Sequence, residues 1–159
     1  MTPRVFLCEP SGLTVSQRAR SDQWHERLFG FGFDVDQLRP AEYEADLWPR
    51  LKARMDVAHG VVVLGFRQLV IGAGSWRRCT EHETDVAGTW TSPWLHTEVG
   101  LAIAAGLPLL IAPESGVEEG VFASETWTDS LCGTSIEAPD ADIVAAWAGS
   151  VAARFATRI

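Results

Sequence analysis

Apolar residues in this chain fall into short continuous runs separated by stretches with a helical period. Val5-Phe-Leu-Cys8, Gly60-Val-Val-Val-Leu-Gly-Phe66 and Leu107-Pro-Leu-Leu-Ile-Ala112 are near-continuous apolar runs, the pattern of strands covered on both faces. Phe33-Asp-Val-Asp-Gln-Leu38 alternates apolar and polar residues instead, which predicts an edge strand. A helix is expected from about Ser16 to Phe29, with Trp24 and Leu28 on one face and Gly30 and Gly32 to end it. Leu47, Leu51, Met55 and Ala58 mark the core face of a second helix, with Pro49 near its start, where proline is tolerated. Val144, Trp147, Val151 and Phe155 give an amphipathic last helix. A short strand is expected near Thr134–Ala138. The segment from Arg67 to Thr91 has no clean period and reads as a long loop, a kind that is usually functional or mobile.

One helix stands apart. Ser92 is a good N-cap and Pro93 suits the first helical position. Between Pro93 and Ala105 the only charged residue is Glu98. Its helical neighbours are Trp94, Leu95, Leu101 and Ala102, so its face is apolar. Gly106 suits the position just past the helix end. A helix apolar nearly all round belongs in a core. An acid there is either paired or tuned for chemistry.

Strands alternating with helices imply a parallel sheet covered on both faces. Right-handed crossovers then give an α/β, flavodoxin-like doubly wound sheet of about five strands, order 2-1-3-4-5, with residues 1–159 as a single domain. Ligands of such sheets bind beyond the carboxyl ends of the strands, at the switch point between the first and third. The expected walls are Cys8-Glu9-Pro10-Ser11-Gly12, Gly65-Phe66-Arg67-Gln68, the Ser92 helix start and Pro113-Glu114.

Composition narrows the partners. The chain has 159 residues, 47% of them hydrophobic and 21% charged, with a net charge of −8. That balance argues against a nucleic acid polymer or an anionic membrane, both of which need a basic footprint. No apolar run reaches the ~18 residues that span a bilayer. The start of the chain has no signal-peptide layout, and three scattered cysteines make no disulfide framework. A reduced, cytoplasmic setting is the simplest reading.

Each candidate side chain has an ordinary explanation beside the functional one. Glu98 is a carboxylate in an apolar wall at the ligand edge, or a buried acid satisfied by an arginine. Trp90 and Trp94 are rings that could stack on a base, or core and interface residues. Arg67, Arg77 and Arg78 are candidate anion clamps, or a solvated loop face. Cys79 and His82 have ligand-like spacing but no second pair, so no metal site is expected. There is no G-x-G-x-x-G after the first strand, no Walker motif and no G-x-S-x-G, which counts against dinucleotide oxidoreductases, P-loop enzymes and α/β-hydrolases.

Thr97-Glu98-Val-Gly-Leu-Ala-Ile-Ala-Ala-Gly-Leu-Pro-Leu-Leu resembles the segment of nucleoside 2-deoxyribosyltransferases that carries the catalytic glutamate. Val5-Phe-Leu-Cys-Glu-Pro resembles that family's first strand and substrate-lining turn, and Met55-Asp-Val-Ala-His-Gly-Val-Val-Val-Leu its third strand. The chain departs from the family in three places. Thr91-Ser-Pro-Trp stands where Asp-x-Gly-Thr is usual, His59 where an aspartate is common, and Leu107 where a lysine is usual. Ser92-x-Trp94-x-x-x-Glu98 is also similar to a motif of TIR domains, with Leu95 where they have cysteine. In active TIR domains that glutamate supports cleavage of the nicotinamide–ribose bond of NAD.

Both resemblances imply a glutamate beside ribose C1′ at a base–ribose bond. The expectation is an enzyme, an N-ribosyl hydrolase or transferase, with Glu98 as nucleophile or electrostatic stabiliser. Ser92 and Trp94 would shape the site, and Glu9, Pro10, Gly65, Phe66 and Arg67 would line the sugar and base pocket. The partner would be a small-molecule nucleoside, nucleotide or NAD, with no resident cofactor, and the resemblance implies a homo-oligomer. The alternatives are a TIR-like NAD-cleaving enzyme and a non-catalytic nucleotide-sensing or interaction module.

Overall fold

The computed structural model describes residues 2–38, 42, 46–127 and 131–157. Five strands form a parallel sheet: β1 (Arg4–Cys8), β2 (Asp34–Asp36), β3 (Gly60–Gly65), β6 (Leu109–Pro113) and β7 (Leu131–Gly133). Their order is β2-β1-β3-β6-β7. This is the wound order expected from the apolar runs, with the switch point between β1 and β3. All six residues of β3 are buried, and β2 is an exposed edge.

Among the described residues four α-helices cover the sheet: α1 (Val15–Gly30), α2 (Leu47–Val57), α3 (Pro93–Ala104) and α4 (Ala141–Ala156). Thr14 and Gln17 close a capping box at the start of α1, satisfying N–H groups that have no partner within the helix. Period-two alternation in the strands splits the core in two. On one face Cys8, Val61, Val63 and Ile111 meet Leu51 and Met55 of α2 and Leu95, Val99 and Ala102 of α3. On the other, Val5, Leu7, Val62, Leu64 and Phe66 meet Trp24 and Leu28 of α1 and Trp147 and Val151 of α4. The indole N–H groups of Trp24 and Trp147 donate to the carbonyls of Ile136 and Pro108, so these two tryptophans are core residues with satisfied polar ends.

Two expectations need correction. The Arg67–Thr91 loop is a two-stranded antiparallel ribbon, β4 (Leu69–Trp76) and β5 (Thr84–Trp90). Its alternation is hidden by a bulge between Ile71 and Gly74 and by the lack of a buried face. The last strand occupies Leu131–Gly133, and the Thr134–Ala138 stretch is a turn. There the Thr134 hydroxyl accepts from the Asp140 N–H at 2.7 Å, and the Ser135 hydroxyl accepts from the N–H groups of Glu137 and Ala138. The Thr134 and Ile136 N–H groups still donate to the Ile111 and Pro113 carbonyls of β6, at 2.9 and 3.2 Å, so the stretch follows the sheet edge while these local bonds bend it away. Among the described residues, no helix is long and apolar enough to cross a membrane.

Candidate functional site

The carboxyl edge of the sheet carries three acidic side chains that are almost fully enclosed. Glu98 is 2% exposed, Glu114 is 3% exposed, and the side chain of Glu9 is 4% exposed. Their surroundings differ sharply.

Glu114 follows β6 and sits in a web of donors. One oxygen accepts from the Arg67 backbone N–H and the Gln17 amide, both at 2.8 Å; the other meets the Arg67 guanidinium at 3.2 Å and Arg20 at 3.7 Å. Burial by itself raises its pKa. The hydrogen bonds from Arg67 and Gln17 and the Arg67 charge outweigh that and hold the carboxyl below its usual value. Glu9, just past β1, accepts from the Ser21 hydroxyl at 2.6 Å and from Arg18 at 3.4 Å. Gln17, Arg18, Arg20 and Ser21 all lie on α1, so both acids tie the sheet edge to that helix.

Glu98 lies on the opposite side, in the second turn of α3. Ser92 caps the helix by accepting from the Trp94 N–H at 3.3 Å. Leu95, Val99 and Ala102 are buried around Glu98. Across the sheet edge it meets Cys8, the last of β1, whose thiol hydrogen-bonds to the carboxylate. Burial pushes the Cys8 thiol well above its ordinary pKa, and the neighbouring carboxylate adds to the shift. Cys8 is therefore a neutral donor. Cys8 pairs with Val63 in the ladder, which puts Glu98 beside the β1–β3 switch point that topology predicts.

The other predicted lining residues separate. Phe66 is fully buried in the α1–α4 core, on the far face from Glu98, because the strand period sends residues 62, 64 and 66 there. The backbone and side chain of Arg67 are engaged by Glu114, and Glu9 by Ser21 and Arg18. Pro10, two residues past β1, is buried. Gly65 is covered by the Phe122 ring, which occupies the space that a β-carbon would need.

Phe122 belongs to a short 3₁₀ turn, Gly120–Phe122, that lies against α3 and β6. Its ring meets His96 edge-on, with centroids 5.5 Å apart. Gly120 has φ +60°, and a β-carbon there would crowd the His96 ring, so close approach and backbone both favour glycine. Burial lowers the pKa of His96, and Glu119 partly offsets that shift.

Sequence reasoning placed Cys8 in the expected wall but not against Glu98, and it missed two residues at this edge. Trp48, at the start of α2, meets Trp94 with ring centroids 5.8 Å apart and planes tilted by 47°. The two indoles are 55% and 45% exposed, an unusual exposure for such large apolar groups. The Thr91 hydroxyl is enclosed with no hydrogen-bond partner among the described residues. Only Trp48 carried a signal, as a bulky apolar residue at a helix start, off the Leu47–Leu51–Met55 stripe.

Two of the cavities on the described surface can be set against the sheet edges. One of 840 Å³ lies by the amino ends of β1 and β2, lined by Arg4, His25, Phe29 and Asp34, at the wrong edge for a site of this fold. The other, of 560 Å³, lies beyond β6 among Glu114, Glu118, Phe122, Trp127 and Glu137. Neither of these two is lined by Glu98, whose side chain is enclosed at 2% exposure. Among the described residues no group of three or more His, Cys, Asp or Glu is placed to hold a metal ion.

The fold and edge define a wound α/β sheet with one apolar-walled carboxylate at its switch point. No protein-family model and no curated protein matches the chain. Among solved structures it is similar to the Clostridium botulinum CMP N-glycosidase BcmB, with 14% identity and a TM-score of 0.44 over 74% of each chain.

Proposed function

We propose that the chain is an N-ribosyl hydrolase or transferase that cleaves the base–ribose bond of a nucleoside or nucleotide, with Glu98 at C1′. The observation that carries this reading is the setting of Glu98. It is a buried carboxylate, held by a neutral thiol and apolar side chains, at the switch point of a wound sheet.

In the reaction the C1′–N bond breaks and its electron pair leaves with the base, which takes up a proton. Positive charge develops at C1′ and the ring oxygen. The Glu98 carboxylate stabilises that charge, or bonds to C1′ to give a ribosyl-enzyme. Water then takes the ribosyl group in hydrolysis, and a second base takes it in transfer. Apolar walls strengthen the carboxylate's attraction for the cationic carbon. The Cys8 thiol donates to the carboxylate and orients it. Trp94 lies one helical turn above Glu98 and, with Trp48, offers an aromatic surface on which the base stacks. Ribose reaches Glu98 after a covering segment moves, and the Gly120–Phe122 turn is the adjoining candidate. The Ser92-x-Trp94-x-x-x-Glu98 pattern makes NAD the alternative substrate.

A second reading is ligand sensing without turnover. It draws on the enclosure of Glu98 and on the engagement of Glu9 and Arg67 within the chain.

The test is incubation with nucleosides, nucleoside monophosphates and NAD, each followed by chromatography for free base. Release by the wild type and its loss in Glu98→Gln are expected. Release from NAD alone would select NAD as substrate. Saturable binding with no release from any compound would select sensing.

A further inference from the structure

Substrate needs a way in to Glu98, since Glu98 and its partner Cys8 are only 2% and 1% exposed. Strand register shows what stands in the way. Cys8 pairs with Val63, and Gly65 lies two residues further along β3 on the same face. Two strand steps and one strand spacing put Gly65 about 8 Å from Cys8. Phe122 covers Gly65 and shares an apolar cluster with Cys8, Leu95 and Val99. It also lines the 560 Å³ cavity beyond β6, together with Glu114, Val117 and Trp127. The Glu114 N–H donates to the Gly65 carbonyl at 3.0 Å, so the cavity wall and Gly65 adjoin. Phe122 thus stands between the cavity and the sheet edge that holds Cys8 and Glu98.

The backbone carrying this ring is tied to its own segment. The Phe122 N–H donates to the Glu119 carbonyl, the Ala123 N–H to Gly120 and the Trp127 indole to Val121. Among the described residues, no hydrogen bond joins residues 119–122 to a strand or an α-helix. Both ends are anchored: Val117 bridges Thr89 of β5, and the Trp127 ring covers Gly133 of β7. Between these anchors the turn is held down by side-chain packing, chiefly of Phe122 on Gly65 and His96. A segment held in this way opens at a lower free energy than the whole fold.

We propose that the cavity beyond β6 is the entrance to the Glu98 site and that residues 118–123 are its gate, with Phe122 as the plug. Swinging this turn outward from Val117 lifts the ring off Gly65 and joins the cavity to the space beside Cys8. Gly120 sets the closed position. Its φ is +60°, and a β-carbon there would lie 2.8 Å from the His96 ring, so the turn closes fully with glycine alone. That the gate serves a nucleoside rests on the proposed base–ribose chemistry. Its opening can be read without any substrate.

Cys8 is the probe. In a parent chain carrying Cys79→Ser and Cys132→Ser it is the one remaining thiol. Its rate of modification by methyl methanethiosulfonate measures access to the gated space. The parent should react through local opening, at a rate that barely changes in low urea. Phe122→Ala should speed the reaction at least about tenfold, and Gly120→Ala by a smaller factor. Leu51→Ala empties the same apolar core from α2 and leaves the gate in place. It should speed the reaction far less than Phe122→Ala does. A parent rate that climbs with urea as steeply as global unfolding would overturn the proposal. So would a Phe122→Ala rate no faster than that of the parent or of Leu51→Ala. Neither measurement involves turnover, so a chain that releases no base can still gate Cys8, and an ungated Cys8 leaves the base-release test untouched.

Discussion

Glu114 and Glu98 sit at the same sheet edge with nearly equal burial and different described partners. Glu114 accepts from the Arg67 N–H, the Arg67 guanidinium and the Gln17 amide. Its charge is neutralised by groups that the fold supplies, so it fastens α1 and the β3–β4 junction to β6. Glu98 accepts from the Cys8 thiol and shares a buried helix face with Leu95 and Ala102. Its charge is not spent on fastening the sheet edge to α1. Burial alone therefore does not mark a catalytic acid; what surrounds the buried group does. The arginines that sequence reading offered as anion clamps show the same division. Arg67 is drawn to Glu114, while Arg77 and Arg78 lie at the exposed end of the ribbon.

The largest test of this contrast replaces each acid. Under the proposed function, Glu98→Gln lowers turnover by about a thousandfold or more, the scale of removing a charge aimed at the transition state. Its thermal melt should match the wild type. Glu114→Ala should do the reverse. Leaving the Gln17 amide and Arg67 N–H enclosed without an acceptor costs about 3 kcal/mol, or roughly 10 °C of melting temperature in a domain this size. The folded fraction should keep its activity. A stable Glu114→Ala protein with no activity would collapse the distinction between the two acids.

Trp48→Ala should weaken binding of a nucleoside monophosphate to the Glu98→Gln protein about tenfold, as expected for one stacking surface lost. Trp48→Phe should restore most of it. Calorimetry reads both, and unchanged binding would remove Trp48 from the site.

The smallest expected effects lie in the dependence of stability on pH. The folded-state pKa of Glu114 is depressed. Its contribution is therefore present above the unfolded value, about 4.3, and is lost as pH falls through the lower folded value. The folded-state pKa of His96 is depressed by burial. The unfolded chain then binds a proton below about 6.5 that the native state resists, so stability declines from that pH downward. Urea midpoints against pH should show two separate declines. Glu114→Gln should remove the lower one and His96→Gln the upper one. A single decline untouched by either variant would contradict both assignments.

The strand runs at Val5–Cys8, Gly60–Gly65 and Leu109–Ala112 were legible because a strand covered on both faces has no polar residue to break its pattern. The Glu98 helix was legible because cap, proline, apolar stripe and closing glycine all lie within one short segment. The β4–β5 ribbon was not, since a bulge shifts its alternation and no core enforces a period. The strand at Leu131–Gly133 lies a few residues before its expected position; Thr134 and Ile136 still donate to β6, but the Thr134 and Ser135 hydroxyls bind nearby backbone and bend that stretch.

Local patterning decided the helices, the buried strands, the wound order and the presence of one acid on an apolar helix. These follow from backbone hydrogen bonding and from the burial of periodic apolar faces, which neighbouring residues encode. Packing decided which side of the sheet each rim residue faces. It placed Cys8 against Glu98, turned Phe66 into the opposite core, joined Arg67 to Glu114 and set Trp48 beside Trp94. These pairs are far apart in the chain, and their meeting depends on strand register and helix placement.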